Sequence, residues 1–413
     1  MNTIKDKATW SIVIAYALWY NLFNFYALSG WAMRLNEIKE VITLVITIAL
    51  LGSLINSTKS RDLDKNVALL IFMSVFSMFV ALLFWNQSLY SSLRVVCSTM
   101  FPLMTFFLLK HYNVTLNSIK KAIVLICILH GVLQIIGTIT FPNHLFGYVN
   151  EEAIERSLID LEKRGVLRLS IPGSDFVPMT IFMVMVLGIK IPKWYLLLIP
   201  LFLILLMRGT RTPFFFTSLI CLFYYIMGIK RKIMVFLVGV TAYFALNLVY
   251  ERLLDSTDDN ALVNYVQMTH NQLESNDTGE EDIRVRMAKF FLFDFNEDNI
   301  FRVVLGNGVP GQGTYGYKMR YYSNNYSYYV VDVGFVEIFT YFGLVGIVIY
   351  LLLFRKAVLI TRISNNGMFA KLTILYFFLI LPTNSMLISN PIPVAIALYA
   401  LYISQSKRML DHC

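Results

Sequence analysis

Arg208 and Arg211 flank a two-residue turn, Gly209-Thr210, between two long apolar runs. A guanidinium at the edge of a membrane is costly to desolvate, so some interaction must offset it. An anion clamp would do so, because guanidinium forks hold phosphate oxygens bidentately without a metal; snorkelling to lipid headgroups would do so equally. Arg284 and Arg286, in Asp282-Ile-Arg-Val-Arg286, stand two apart on an expected helix and project to different sides, one toward a membrane cavity and one toward solvent. An ion pair with Glu280 or Glu281 is the plainer alternative for either. Asp332 opens a further apolar run and Glu337 lies five residues into it. An ionisable group within a membrane helix marks function by default, yet Asp332 would also serve as an N-cap. Five residues set the two carboxylates about 140° apart around a helix, so they do not form a facing pair. Asp332 therefore reads as a base, an acceptor-binding group or a cap, and Glu337 as a buried hydrogen-bond partner of a neighbouring helix. Arg168, with Ser174 and Asp175 opening the next run, adds another polar group at the same level, explained equally by a headgroup contact and a cap.

Cations and carboxylates in this arrangement suit stabilisation of an anionic leaving group and activation of a hydroxyl. No metal or other cofactor is expected: the five histidines are scattered, and Cys97, Cys127, Cys221 and Cys413 form no CxxC pair. Gly306-Asn-Gly-Val-Pro-Gly-Gln-Gly313 lacks the lysine of a phosphate loop and reads as a flexible, tight-turning connector. Tyr315, Tyr317, Tyr321, Tyr322 and Tyr326 come next, suited to an interfacial belt or to stacking on sugar rings.

The elements that position these groups are membrane helices. The chain is 57% hydrophobic and only 15% charged, with a mean hydropathy of +0.63, outside the range of soluble domains. Its apolar runs suit α-helices and are too long and uniform for barrel strands. Reading runs between polar turns gives an all-α, polytopic protein of about twelve transmembrane helices: 10–31, 38–56, 66–86, 94–109, 118–141, 173–190, 193–208, 211–229, 233–250, 332–354, 370–388 and 391–404. The formal charge of +9 follows this pattern and so argues against a nucleic-acid partner. Lysines and arginines gather at every second break, which places those breaks and both termini in the cytoplasm. The first run is expected to be a retained anchor. Residues 1–413 form a single integral domain, with 251–331 as one large external loop. Residues 142–172 hold a shorter amphipathic helix carrying Ile154, Leu158 and Leu161.

The arginine turn Arg208-Gly-Thr-Arg211-Thr-Pro, the loop motif Asp282-Ile-Arg284, the later Leu305-Gly-Asn-Gly308, and the run from Asp332-Val-Gly-Phe-Val-Glu337 to Gly346 stand in a telling order. Together with the topology, that order resembles the bacterial O-antigen polymerases of the Wzy type and the related O-antigen ligases. The topological likeness covers nearly the whole chain, the motifs only 206–216 and 280–350. The resemblance implies a metal-independent, inverting glycosyltransferase at the periplasmic face of the inner membrane. It would join undecaprenyl-diphosphate-linked oligosaccharide repeat units into O-polysaccharide, among membrane lipid and beside a membrane chain-length regulator. Carried over by position, the turn arginine of that group falls on Arg211 and the loop arginine on Arg284. These two would be catalytic with Asp332, while Arg208, Arg168, Arg286 and Glu337 would bind substrate. Asp332 stands where ligases commonly place a histidine, a departure that favours the polymerase. The ligase is the nearer alternative. A lipid-linked oligosaccharide flippase is the rival from another class, disfavoured because charge gathers at one face and one loop is large.

Overall fold

The computed structural model describes residues 7–58, 63–141, 145–147, 158, 169, 171–188, 193–207, 211–228, 283–360, 363–384 and 386–410. Among these residues the secondary structure is helical throughout, apart from one isolated bridge between Phe25 and Phe146. Among the described residues, three helices are long and apolar enough to cross a membrane: Leu63–Trp85, Leu116–Ile139 and Gly334–Leu359. At 1.5 Å per residue the first two run about 35–36 Å, against a hydrocarbon core of about 30 Å. Two bent pairs, Arg34–Ala49 with Leu51–Thr58 and Leu89–Thr99 with Phe101–His111, raise the number to five if each pair is one span. The second bend, of 51°, falls at Met100, just before Pro102, whose missing N–H and ring cannot continue an α-helix. Other expected runs form apolar helices of 10–17 residues: Phe176–Leu187, Trp194–Met207, Thr212–Tyr225, Met368–Leu379 and Pro391–Gln405. The run 233–250 lies outside the described residues.

The first run is not one helix. Lys7–Trp19 is helical, and Asn21, Leu22, Phe23 and Asn24 then all take left-handed backbone angles. Asn21 and Asn24 tolerate that region best among non-glycine residues, and the chain turns there.

Several hydroxyls within the apolar helices bond to carbonyls of their own helix. Ser74 and Ser77 donate to Ile71 and Ser74 carbonyls, and Thr180 and Thr373 donate to the carbonyls four residues back. This lets polar residues sit in an apolar medium without partners from elsewhere. Outward faces are strongly apolar, as at Val41, Val45 and Ile48, Phe76, Phe79 and Leu83, and Leu344, Val348 and Leu351. Apolar surface that continuous is suited to lipid and not to water.

Hydrogen bonds tie alternate helix ends together. At one end Lys110 bridges Asp64 at 2.6 Å, Thr9 donates to the Ser118 carbonyl, and Tyr399 to that of Val114. At the other end Tyr20 donates to Asn390, whose amide donates to Asp175, each at 3.0 Å, and the Gly334 amide donates to Leu381. The functional candidates gather at this second end.

Central to the bundle is Gly334–Leu359, which packs against Leu63–Trp85, Met368–Leu379 and the short helix Ile300–Leu305. It is broken at Gly343, where φ is 63° and ψ is −161°. A Cβ there would lie 2.4 Å from the Gly306 nitrogen and the Val304 oxygen. Only glycine allows both this conformation and this approach.

A candidate active site at one end of the helix bundle

Residues 306–313 were expected to be a flexible connector; instead, 306–309 are buried and held from both sides. Gly306 and Gly308 take φ of 80° and 76°. Side chains there would come within 2.5 Å of the backbone of Tyr341 and Phe342, and of the Ser77 oxygen, respectively. The chain therefore lies directly on two spans. Beside the break at Gly343, the carbonyls of Thr340 and Tyr341 accept from the Asn307 and Gly308 amides at 2.9 Å. The fully buried Asn307 donates through Nδ2 to Asn296 Oδ1 at 2.9 Å and to the Thr340 oxygen, and accepts from Trp85 Nε1 at 3.2 Å. Gln87 donates to the Val309 carbonyl and accepts from the Gly311 amide, while Ser91 Oγ accepts from the Gln312 amide. A segment so fully bonded is a fixed clasp. Its glycines do mark local turns, but the seat they fit is built by residues far away in sequence. Asn307→Ala should strand Asn296 Oδ1 and Trp85 Nε1, lowering stability by about 1–3 kcal/mol. Thermal unfolding in detergent checks this.

The segments on either side of the clasp are packed as well. Ile283–Lys289, the helix expected to carry Arg284 and Arg286, continues through the π-helical turn Phe290–Asp294. Met287, Phe291 and Phe295 are buried beneath it. Of the tyrosines, Tyr315 is fully buried, stacks on Trp85 at 4.7 Å and donates to the Gly308 carbonyl. Tyr322 packs on Phe290 at 4.6 Å. Tyr317, Tyr321 and Tyr326 are exposed. The tyrosines thus divide between core packing and open aromatic surface.

Arg284 lies on Ile283–Lys289, which packs against the 3-10 turn Val330–Asp332. Arg284 and Asp332, both exposed, are close enough for the guanidinium to act on the carboxylate. The chain around Asp332 withdraws enough water to hold its carboxyl above the usual range, and Arg284 pulls it part of the way back. Asp332 is not an N-cap. The helix begins at Gly334, its N-cap is Val333, and no side chain caps it. The structural alternative for Asp332 therefore falls away.

Arg286 is exposed on the same short helix. Glu337 is buried in the first turn of Gly334–Leu359 and hydrogen-bonds the Tyr341 hydroxyl one turn along the same helix. Its expected buried hydrogen bond is present, but this partner belongs to its own helix. Arg211 is the first residue of Arg211–Gly228, and Arg208 and Arg168 lie outside the described residues. The structure thus brings together Arg284 and Asp332 among the expected site residues. Asp175, read from sequence as the opening of a span, is buried in the network with Asn390 and Tyr20.

Sequence reasoning missed a second charged group. Glu297 accepts from Lys318 at 2.9 Å and from Arg302 at 3.4 Å, and both cations lie 4.8 Å from the centre of the Trp85 ring. The pairing joins residues from three separate segments, and no local spacing signals it. Compared with known proteins, the chain matches no protein-family model and no curated sequence.

Proposed function

We propose that the chain is an inverting glycosyltransferase of the O-antigen polymerase kind, using polyprenyl-diphosphate-linked oligosaccharides as donor and acceptor. The observation that carries this reading is the placement of Arg284 beside Asp332 at the head of the central span. A lipid-linked substrate keeps its tail along the apolar helices while its sugars lie at the end of the bundle. The acceptor hydroxyl attacks the anomeric carbon from the face opposite the diphosphate. The new glycosidic C–O bond forms as the bond to the diphosphate oxygen breaks, and the hydroxyl proton passes to the Asp332 carboxylate. Arg284, with Arg211 joining it from the head of its own helix, stabilises the charge that builds on the leaving diphosphate. The exposed Tyr317, Tyr321 and Tyr326 offer faces on which sugar rings stack. In this reading the shorter apolar helices, with the first run and 233–250, complete about twelve spans, both termini are cytoplasmic, and the site faces the periplasm. A membrane chain-length regulator is the expected partner.

The test is the lipopolysaccharide ladder of a strain lacking the gene, complemented by wild type or Arg284→Ala. A single core-plus-one-repeat band, restored to a ladder by wild type alone, supports the polymerase. Loss of every O-antigen band with lipid-linked glycan accumulating outside the membrane supports the ligase; accumulation inside supports a flippase.

Because the Asp332 carboxyl is held above its ordinary range, the active, ionised form is lost at a higher pH than for a free aspartate. The acid limb of the transfer rate should track that group. Asp332→Asn should abolish the limb and lower the rate by about 100–10,000-fold, the usual contribution of general-base catalysis. A pH–rate profile with purified protein measures both effects.

A further inference from the structure

We propose that Arg302 and Lys318 form a binding site for the phosphate of an amphipathic ligand, and that Glu297 occupies this site in the free protein. The site stands on its own geometry and does not require the polymerase reading. Two cations converge on one carboxylate, Lys318 at 2.9 Å and Arg302 at 3.4 Å. Both also lie against the indole of Trp85, with Tyr315 stacked on the same ring. The Arg302 side chain is only 13% exposed, and its Nε is buried with no hydrogen-bond partner among the described residues. A fork held that way has spare donor capacity, and a tetrahedral phosphate offers more acceptor oxygens than one carboxylate does.

Glu297 is a poor permanent partner. Its side chain is 61% exposed, and an ion pair so open to water contributes little to stability. It is also presented from an unfavourable backbone, since Glu297 and Asp298 are successive non-glycine residues at φ of 51° and 56°. Strain of this kind persists where a switch or ligand clamp requires it. Release of the carboxylate lets the turn relax, while the two cations remain anchored on aromatic rings.

The surroundings name the ligand class. Ile300 and Phe301, next to Arg302 at the start of the same helix, are 65% and 64% exposed. Open apolar side chains beside a phosphate-binding pair suit a phosphate that carries a hydrocarbon chain, such as a polyprenyl diphosphate or a phospholipid headgroup. The pair is carried by other elements than Arg284: Arg302 stands on Ile300–Leu305 and Lys318 on Thr314–Tyr326, whereas Arg284 stands on Ile283–Lys289.

The experiment follows tryptophan emission of the full-length protein in neutral detergent during titration with farnesyl diphosphate, inorganic pyrophosphate or phosphatidylglycerol. A saturable change is expected with farnesyl diphosphate, absent in Trp85→Phe. Glu297→Gln should bind roughly tenfold more tightly, because the competing carboxylate is gone, and Arg302→Gln and Lys318→Gln roughly tenfold more weakly. Equal affinity for phosphatidylglycerol assigns the site to bilayer headgroups and supports it; equal affinity for inorganic pyrophosphate overturns the amphipathic ligand. The proposal is overturned if no probe binds wild type or Glu297→Gln, or if Arg302→Gln binds as wild type does. Should the cation variants fail to fold, equal affinities of Glu297→Gln and wild type would also overturn it.

Discussion

Arg284→Ala should lower glycan transfer by about 100–1,000-fold, the range seen when one preorganised charge-stabilising donor is removed from an active site. The side chain is exposed and its short helix is anchored by Met287, with Phe291 and Phe295 continuing the buried face beyond it. Truncation therefore leaves the fold intact, and the unfolding temperature of the purified variant should stay near that of wild type. Arg284→Lys keeps the charge but loses the bidentate fork, so it should recover only part of the rate. The effect should fall mainly on the maximal rate, because leaving-group charge is greatest in the transition state. Steady-state transfer between two lipid-linked oligosaccharides reads this directly. An Arg284→Ala protein that transfers at the wild-type rate would remove Arg284 from the mechanism and, with it, the main support for the polymerase reading.

The second large effect is structural. Gly343→Val should prevent the native packing of the central helix. Its Cβ would enter the backbone of residues 304–306 at 2.4 Å, and a β-branched residue is excluded from φ of 63°. Overpacking costs about 1–3 kcal/mol, and the strained backbone about another 1–3 kcal/mol. Together, at about 2–6 kcal/mol, these are a large fraction of a domain's stability of about 5–15 kcal/mol, so the protein should be recovered in low yield and unfold early on heating. Gly343→Ala should show the same sign with a smaller shift. Gly313 offers a control, since a Cβ there meets nothing within 4 Å. Gly313→Ala bears only the backbone penalty of its φ of 102°.

These two effects arise from different layers of what the sequence makes legible. Runs of apolar residues mark helices because lipid demands internal backbone bonding, and 66–86, 118–141 and 332–354 reappear as Leu63–Trp85, Leu116–Ile139 and Gly334–Leu359. Arg284 and Asp332 are each legible as candidates, through the order of motifs along the chain, but their proximity is not: from sequence the plainer partner of Arg284 is Glu280 or Glu281. What local pattern cannot carry is the break at Gly343, since a glycine in an apolar helix reads as tolerated small volume. Nor does it carry the burial of Gly306 and Gly308, whose neighbours Ser77 and Tyr341 come from separate spans. The turn at 21–24 does leave a trace, because Asn21 and Asn24 interrupt an otherwise apolar run. The Arg302–Glu297–Lys318 group leaves none, as its charges look like ordinary surface residues until the fold collects them around Trp85.

The clasp at 306–313 has a bearing on biogenesis. Its hydrogen bonds reach across 221 to 224 positions, from Gln87 and Ser91 to Val309, Gly311 and Gln312. Membrane chains are threaded in from the amino terminus, so the helices bearing Trp85, Gln87 and Ser91 enter the bilayer long before their partners are synthesised. Until then the bonds these groups make to the clasp go unmade at the edge of an apolar phase, a costly arrangement, although Gln87 keeps its bond to Ser92. Arrival of the glycine-rich segment closes the bundle as a single late event. A nascent chain stopped before residue 306 should therefore be a substrate for membrane quality control, and one extended past residue 343 should escape it.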